Sequence, residues 1–137
     1  MKTVKVPAKL RELDNVRAFA DEVLTDTTAS TEDRLAIELA VEEVFVNIVK
    51  YACLPEAGKI TVSCEHDSDN EAVEIRFLDE GHPFNPLSMK DPDLKADLSE
   101  RNPGGLGIYM LKKLMDRVEY DYVEGRNRLV IWKKLSG

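Results

Sequence analysis

The 137-residue sequence lacks any long apolar run and any excess of positive charge, and it contains only two cysteines. Cys53 and Cys64 have no metal-type spacing, so we expect free, buried thiols instead of a disulfide framework. Its apolar stretches fall short of the ~20 residues that a membrane helix needs. Residues 1–10 lack the apolar core of a signal peptide, so a cytoplasmic location without membrane association is expected. The net charge of −7 argues against a nucleic-acid partner.

Repeats, linkers and low-complexity segments are also missing, and a single domain over residues 1–137 is expected. Alternating apolar residues predict strands at 2–6, 59–66, 71–79, 117–124 and 128–135, and three- and four-residue spacing predicts helices at 13–24, 31–53 and 108–116. Ser30 and Asp33 can form a capping box before the second helix. Residues 125–127 are expected to turn between the last two strands. The order predicts an α+β two-layer sandwich, with one mixed, mostly antiparallel sheet and three helices on one face.

Glu43 and Asn47 lie in the otherwise apolar run 40–52 of the long helix. Burying such groups without partners costs several kcal/mol, roughly, and their four-residue spacing makes them neighbours on one helix face. Ala36 and Ala40 on the same stripe leave room for something to lie against the helix, whereas Glu42 points away as a solvated neighbour. The pair predicts either an acid–base or metal-binding corner, or a structural hydrogen bond.

Asp79 ends a strand that is expected to be central, and Gly81 follows it. A carboxylate there can accept a hydrogen bond from an exocyclic amine such as that of adenine, and the glycine allows a flat ligand to approach closely. The alternative is an ordinary turn after a strand. Residues 80–103 form a long, proline-containing loop, a kind of segment that is usually functional or mobile.

Gly104, Gly105 and Gly107 stand just ahead of the third predicted helix. Glycines there expose unpaired N–H groups, and the positive end of the helix dipole favours phosphate. A flexible hinge is the alternative. His66 and His82 have no metal-ligand partner at a useful spacing, and the aromatic side chains Phe77, Tyr120, Tyr122 and Trp132 are interpreted as sheet packing.

The three motifs, in this order, resemble the GHKL ATPases, which share the Bergerat or histidine kinase-like ATPase fold. They are Glu43-x-x-x-Asn47, Asp79-x-Gly81-x-x-Phe84 and Gly104-Gly105-Leu106-Gly107. Within that superfamily, the short length and the spacing of the last two motifs resemble the anti-sigma factor serine kinases. The resemblance covers essentially the whole chain.

The resemblance implies ATP and Mg²⁺ as cofactors, with Glu43 as general base and Asn47 as the magnesium ligand. The implied nucleotide-binding residues are Asn47, Lys50, Asp79, Gly81, Phe84, Arg101, Gly104, Gly105, Leu106 and Gly107, in a site whose ATP lid spans about residues 80–103. Arg101 is either a phosphate clamp or a solvated lid charge. Lys50 and Tyr51 replace the histidine that many of these kinases carry, and they look more like the corresponding box of histidine kinases.

The implied function is that of an ATP-dependent protein serine/threonine kinase. It would phosphorylate a STAS-type anti-sigma factor antagonist and bind a sigma factor, so regulating transcription in a partner-switching pathway. The resemblance also implies a homodimer, with the first strand and helix as the expected surface. Two alternatives stay open: a non-catalytic nucleotide-binding module that sequesters a protein, and a detached histidine-kinase catalytic domain.

Overall fold

The computed structural model describes residues 1–52, 55, 58–88 and 105–136, with the backbone alone at 105 and 106. Several predictions fall outside these residues. They concern Cys53, Arg101, Gly104, the side chain of Leu106 and the lid residues from 89 onward. No helix in the described ranges is long and apolar enough to cross a membrane.

The described part of the chain contains five strands and three main helices. They are β1 (Lys2–Pro7), α1 (Leu13–Thr25), α2 (Thr31–Tyr51), β2 (Lys59–Asp67), β3 (Ala72–Asp79), α3 (Gly105–Leu114), β4 (Arg117–Val123) and β5 (Arg126–Lys134). Short 3-10 turns lie at Leu10–Glu12 and Pro86–Ser88. The α+β fold class predicted from the sequence is confirmed.

The sheet has the order β1-β2-β3-β5-β4, and all four of its pairings are antiparallel. The expectation of a mixed sheet was therefore wrong. A strand–helix–strand connection normally favours a parallel pair, and β3 and β4 do run in the same direction. They are not neighbours, however, because β5 lies between them and pairs with both.

The core lies on the face of the sheet that the helices cover. Inward-facing residues alternate along the strands, as Val62 of β2, Phe77 of β3 and Leu129 of β5 show by lying side by side in register. They pack with buried residues of the helices, such as Val16, Phe45 and Leu111. The opposite face carries mainly polar side chains, so the sandwich has two layers.

Local signals determine the ends of α2. The predicted capping box is present, since the Ser30 hydroxyl accepts from the Asp33 backbone and the Asp33 carboxylate accepts from the Ser30 backbone. The helix ends at Tyr51, two residues before the expected end, and Ala52 is its C-cap.

Two other predicted boundaries were wrong. Helix α3 begins at Gly105, so that Gly105 and Gly107 lie inside its first turn and not ahead of it. The closing hairpin turns at Glu124 and Gly125, whose φ angles of 54° and 77° are both positive, as a two-residue type I′ turn requires. Asn127 consequently belongs to β5 and not to the turn.

Candidate functional site

The Glu43 and Asn47 side chains form a hydrogen-bonded corner on α2. Asn47 Nδ2 donates to Glu43 Oε1 at 2.6 Å and to the Glu43 backbone carbonyl at 2.7 Å. Asn47 is only 2% exposed, whereas Glu43 is half-buried. Their four-residue spacing therefore produces the contact that the sequence predicted, and it also fixes the orientation of the carboxylate.

The oxygen of the Asn47 amide, unlike its nitrogen, has no described partner. Oδ1 is buried and has no hydrogen-bond partner among the described residues. Buried polar atoms are nearly always satisfied, so an orphaned oxygen calls for a partner from outside the chain. An amide oxygen is a suitable ligand for a hard cation such as Mg²⁺.

The Glu43 carboxyl has an altered acidity. Burial raises its pKa above the usual value, and Glu42 adds to the rise, while the Asn47 hydrogen bond and the charge of Lys50 act in the opposite direction. A carboxylate with a raised pKa is a stronger base than an ordinary glutamate. Lys50 itself is exposed and lies one turn beyond Asn47.

Gly107 makes room for the Glu43 carboxylate. A Cβ atom added at position 107 would lie 1.9 Å from Glu43 Cδ and 2.0 and 2.1 Å from the two carboxylate oxygens. Any side chain there would displace the carboxylate. The first turn of α3 thus lies directly against the candidate base, which the sequence did not indicate.

A second carboxylate–amide corner joins β3 to β5. Asp79 is 3% exposed, and its Oδ1 accepts from the backbone N–H of Gly81 at 2.8 Å and from Asn127 Nδ2 at 2.9 Å. Burial raises the pKa of the Asp79 carboxyl, and the hydrogen bonds from Asn127 and Gly81 partly offset the rise. Both hydrogen bonds described for this carboxylate end on Oδ1.

Asn127 connects this corner to the segment that follows β3. Its Nδ2 also donates to the His82 carbonyl at 2.8 Å, and its Oδ1 accepts from the Phe84 backbone at 3.0 Å and from the Tyr120 hydroxyl. Sequence reasoning missed both residues, because Asn127 was assigned to a turn and Tyr120 to packing. The place of Asn127 opposite Asp79 arises from the pairing of β3 with β5, for which the sequence carried no signal.

The structure describes Gly81 and Phe84, and it gives a different reason for the glycine from the approach of a flat ligand. An added Cβ at Gly81 would lie 2.2 Å from the Ala52 carbonyl oxygen, so the chain's own backbone already requires glycine there. Phe84 packs against Tyr51, with ring centroids 5.5 Å apart. Whether either residue contacts a nucleotide stays a prediction.

Two cavities meet at the Glu43–Asn47 corner. A small one of about 10 Å³ is lined by residues of both corners and of the segment after β3, among them Asn47, Asp79, Phe84, Pro86, Tyr120 and Asn127. An open groove of about 400 Å³ runs between α2 and α3 and is lined by Glu43 and Gly107. Among the predicted site residues, Glu43, Asn47, Asp79, Phe84 and Gly107 line these two cavities, whereas Lys50 and Gly81 line neither.

The remaining predictions concern the cysteines, the histidines and possible metal-ligand groups outside the two corners. Cys64 is a buried, free thiol whose pKa burial raises to about 12, so the expectation for this residue is confirmed. Within the described residues, no group of three or more His, Cys, Asp or Glu side chains could hold a metal ion. The Nε2 atom of His66 is buried without a described partner, and nothing in the structure explains it.

Solved structures show the same fold. The RsbU and RsbW domains of a Mycobacterium tuberculosis protein superpose with a TM-score of 0.64 at 16% identity, covering 98% of this chain and 33% of that one. The catalytic domain of histidine kinase ThkA superposes with a TM-score of 0.56 at 15% identity, covering 97% of each chain. At these identities, the likeness concerns the fold alone.

Comparisons of the amino-acid sequence identify the family to which the chain belongs. Residues 6–133 match the histidine kinase-like ATPase domain family. The chain is 30% identical over 128 residues to serine-protein kinase RsbW of Listeria monocytogenes serovar 1/2a, covering 90% of this chain and 80% of that protein. It is 27% identical over 131 residues to serine-protein kinase RsbW of Bacillus mycoides, covering 93% and 81%. The chain therefore belongs to the histidine kinase-like ATPase domain family and, within it, to the group of the RsbW serine-protein kinases.

Proposed function

We propose that this protein is an ATP-dependent protein serine kinase. The observation that carries the proposal is the Glu43 carboxylate, half-buried with a raised pKa, held by Asn47 and pressed against the first turn of α3. A fixed carboxylate of raised basicity suits a general base for a serine hydroxyl.

Two side chains, Glu43 and Asn47, act in the proposed transfer of the phosphoryl group. Asn47 holds Glu43 Oε1 by its 2.6 Å hydrogen bond, so the carboxylate presents a defined lone pair to the substrate. Glu43 takes the proton of the serine hydroxyl as the serine oxygen bonds to the γ-phosphorus of ATP. The bond between that phosphorus and the β,γ-bridging oxygen breaks, and ADP leaves.

The nucleotide would lie across both corners. Asp79 Oδ2 would accept from the adenine amine, since the hydrogen bonds described for this carboxylate use Oδ1. The orphaned Asn47 Oδ1 fits a Mg²⁺ ligand, and such an ion neutralises phosphate charge when bound. Lys50, Arg101 and the glycine segment 104–107 stay predicted phosphate contacts.

The proposed partners follow from the relatives. Because the related proteins are serine-protein kinases named RsbW, we infer a STAS-type anti-sigma factor antagonist as the substrate and a sigma factor as the alternative partner. A partner switch of this kind would operate in the cytoplasm. A homodimer built through β1 and α1 is part of the proposal.

The test is phosphorylation of candidate antagonists. The purified protein is incubated with Mg-ATP and each STAS-domain protein of the source genome, and phosphoserine is detected by mass spectrometry. We expect acid-stable phosphoserine on at least one antagonist, with Glu43→Gln abolishing it and Glu42→Gln, on the neighbouring residue, retaining it. Acid-labile phosphohistidine, or no phosphorylation at all, would contradict the proposal.

A second candidate is a sequestering module without turnover. The observation in its favour is the small cavity beside Asn47 and Asp79, about 10 Å³, which must widen before a nucleotide base can enter. Under this proposal the protein captures its partner whether or not Glu43 is intact. Partner affinity unchanged by Glu43→Gln, together with absent phosphoserine, would favour it.

A further inference from the structure

A further pocket lies on the outer face of the sheet, which is the face that the helices leave uncovered. Its volume of about 340 Å³ falls in the range of ligand-binding pockets. Thr61 of β2 and Leu78 of β3 line it and are paired in register. They alternate along their strands with the inward-facing Val62 and Phe77, so their side chains face away from the core. The pocket therefore opens on the other side of the sheet from Glu43.

Three cationic side chains line this pocket, namely Lys5 of β1, Lys59 of β2 and Arg126 of β5. Lys5 and Lys59 are exposed, and neither forms an ion pair with a carboxylate of the described residues. The described ion pair of Arg126 is with Glu124 at 3.8 Å, and a pair as exposed as this one contributes little. Because 26 acidic residues outnumber 19 basic ones in the chain, three weakly partnered cations in one pocket are a local exception. Such a pocket attracts acidic groups.

Two carboxylates also belong to the described lining. Asp79 is 3% exposed, and its described hydrogen bonds come from Gly81 and Asn127. Glu80 is exposed and has no described ion pair with any of the three cations. Glu56, in the loop ahead of β2, lies outside the described residues. The three cations are therefore available to an acidic group of a partner, which Glu80 opposes as the exposed carboxylate of the described lining.

The spacing of the cations restricts the occupant further. Neighbouring strands lie about 4.8 Å apart, so the three spacings from β1 to β5 place the backbones at Lys5 and Arg126 at least roughly 14 Å apart. Lys59 is a diagonal neighbour of Lys5, which pairs with Thr61. One phosphate group is too small to bridge this distance. In an extended segment, side chains four residues apart lie on the same side and about 13 Å apart, with the side chain between them above Leu78.

We propose that this pocket binds an acidic, extended segment of a partner protein, in which two carboxylates four residues apart flank a central apolar side chain. One carboxylate lies beside Lys5 and Lys59, the other lies beside Arg126, and the apolar side chain packs on Leu78. Because the pocket is on the opposite side of the sheet from Glu43, this inference goes beyond the proposed kinase reaction and does not depend on it.

The test is a titration of the full ¹⁵N-labelled chain with capped pentapeptides, followed through its backbone amide signals in NMR spectra. The probe is Glu-Ala-Leu-Ala-Glu, used to about 5 mM, a concentration that detects millimolar affinity, and at low ionic strength because salt screens exposed charges. We expect saturable shifts of the Thr61 and Leu78 amides, with Leu111 in the helix layer unchanged. The isomer Glu-Glu-Leu-Ala-Ala, of equal charge, should bind at least threefold more weakly. The neutral Gln-Ala-Leu-Ala-Gln should give no shift.

Matched charge variants decide whether the pocket is responsible. Lys5→Gln and Arg126→Gln should each weaken binding of the probe about threefold, the loss expected for one exposed ion pair. Lys134→Gln removes an exposed lysine of β5 outside the pocket and should leave the affinity unchanged. Glu80→Gln should strengthen binding about twofold, because it removes the opposing carboxylate.

Several outcomes would overturn the proposal. Equal affinities for the two acidic isomers, or an equal loss with Lys5→Gln and Lys134→Gln, would show that binding follows net charge alone. No saturable shift with the probe peptide would be equally decisive. Inorganic phosphate that shifts the Thr61 and Leu78 amides at lower concentrations than the probe would assign the pocket to a phosphate ligand. A Thr61 shift that grows with protein concentration without peptide would assign it to a second copy of the chain.

Discussion

The Glu43–Asn47 corner of α2 (the α2 corner) and the Asp79–Asn127 corner of the sheet (the sheet corner) contain the same two chemical groups. They differ in whether the asparagine amide is fully hydrogen-bonded. Each pairs a carboxylate with an asparagine amide, and burial raises the pKa of both carboxyls. In the sheet corner, both amide atoms of Asn127 are satisfied, because Nδ2 donates to Asp79 and His82 while Oδ1 accepts twice. In the α2 corner, Asn47 Oδ1 is buried and has no described partner.

This difference separates an asparagine with a structural role from one that we propose to act in the reaction. The satisfied amide of Asn127 ties β3, β4 and β5 to the segment after β3, so its hydrogen bonds stabilise the fold. The unsatisfied amide of Asn47 costs stability, a cost that natural proteins tend to retain at functional sites. The comparison predicts that the two asparagines respond differently to the same substitution.

The largest effect is expected for Glu43→Gln, which removes the base and keeps the oxygen that accepts from Asn47. Phosphoryl transfer should fall by about 10² to 10⁴-fold, the usual contribution of a general base. Single-turnover kinetics measure this loss, with Glu42→Gln as the control. A decrease of less than tenfold would contradict the role of Glu43.

The same variant should change the dependence on pH. Because the folded-state pKa of Glu43 is raised, its ionised form destabilises the fold at neutral pH, and that stability returns as the pH falls through the raised pKa. Glu43→Gln should therefore unfold at a higher temperature than the wild type at pH 7, and the gain should vanish at low pH. Wild-type activity should decline below the raised pKa. Differential scanning calorimetry and rate profiles across pH 4–8 are the measurements.

The next effect concerns the two asparagines. Asn127→Ala leaves the His82 carbonyl and the Phe84 N–H without their described partner. It also removes one of the two hydrogen bonds described for the Asp79 carboxylate, and should cost about 2–4 kcal/mol of unfolding free energy. Asn47→Ala should cost no more than about 1 kcal/mol, since it also removes the orphaned oxygen.

Chemical denaturation and calorimetry with Mg-ATP distinguish the two asparagines. Asn47→Ala should abolish the dependence of ATP affinity on Mg²⁺, and Asn70→Ala, in an exposed turn, serves as a neutral control. If Asn127→Ala and Asn47→Ala lose equal stability, the distinction between the corners is wrong. It is also wrong if Asn47→Ala binds Mg-ATP as the wild type does.

The smallest effect is expected for Gly107→Ala. Alanine favours a helix over glycine by about 1 kcal/mol, but the added Cβ must displace the Glu43 carboxylate. Because this carboxylate is the end of a flexible side chain, the fold should persist while phosphoryl transfer falls about tenfold with unchanged ATP affinity, a small misplacement of the base being enough for such a loss. In the background of Glu43→Gln, the substitution should have no further effect on the rate.

The features that were predictable from the sequence depend on residues close together in the chain. Glu43 and Asn47 are one helical turn apart, and Ser30 and Asp33 form a capping box within four residues. The strand and helix patterns also depend on local periodicity, which explains why the fold class was confirmed. The predicted boundaries were wrong where a local rule allowed two interpretations. The turn at Gly125, for example, begins one residue earlier than expected.

Contacts between distant residues could not be predicted in the same way. Asn127 meets Asp79, 48 residues away, only because β5 enters the sheet between β3 and β4. The same insertion makes the sheet antiparallel at every described pairing. Gly107 meets Glu43 only because α3 packs beside α2.

The sequence by itself determined the strand and helix pattern, the capping of α2 and the pairing of Glu43 with Asn47, because each follows from spacing along one element. The tertiary structure decided what those residues face. It satisfied Asn127 and left Asn47 Oδ1 unsatisfied, set Gly107 against the carboxylate and opened a groove beside it. The physical reason is that burial and neighbouring groups, which set the acidity and reach of a carboxylate, arise only when separate elements pack together.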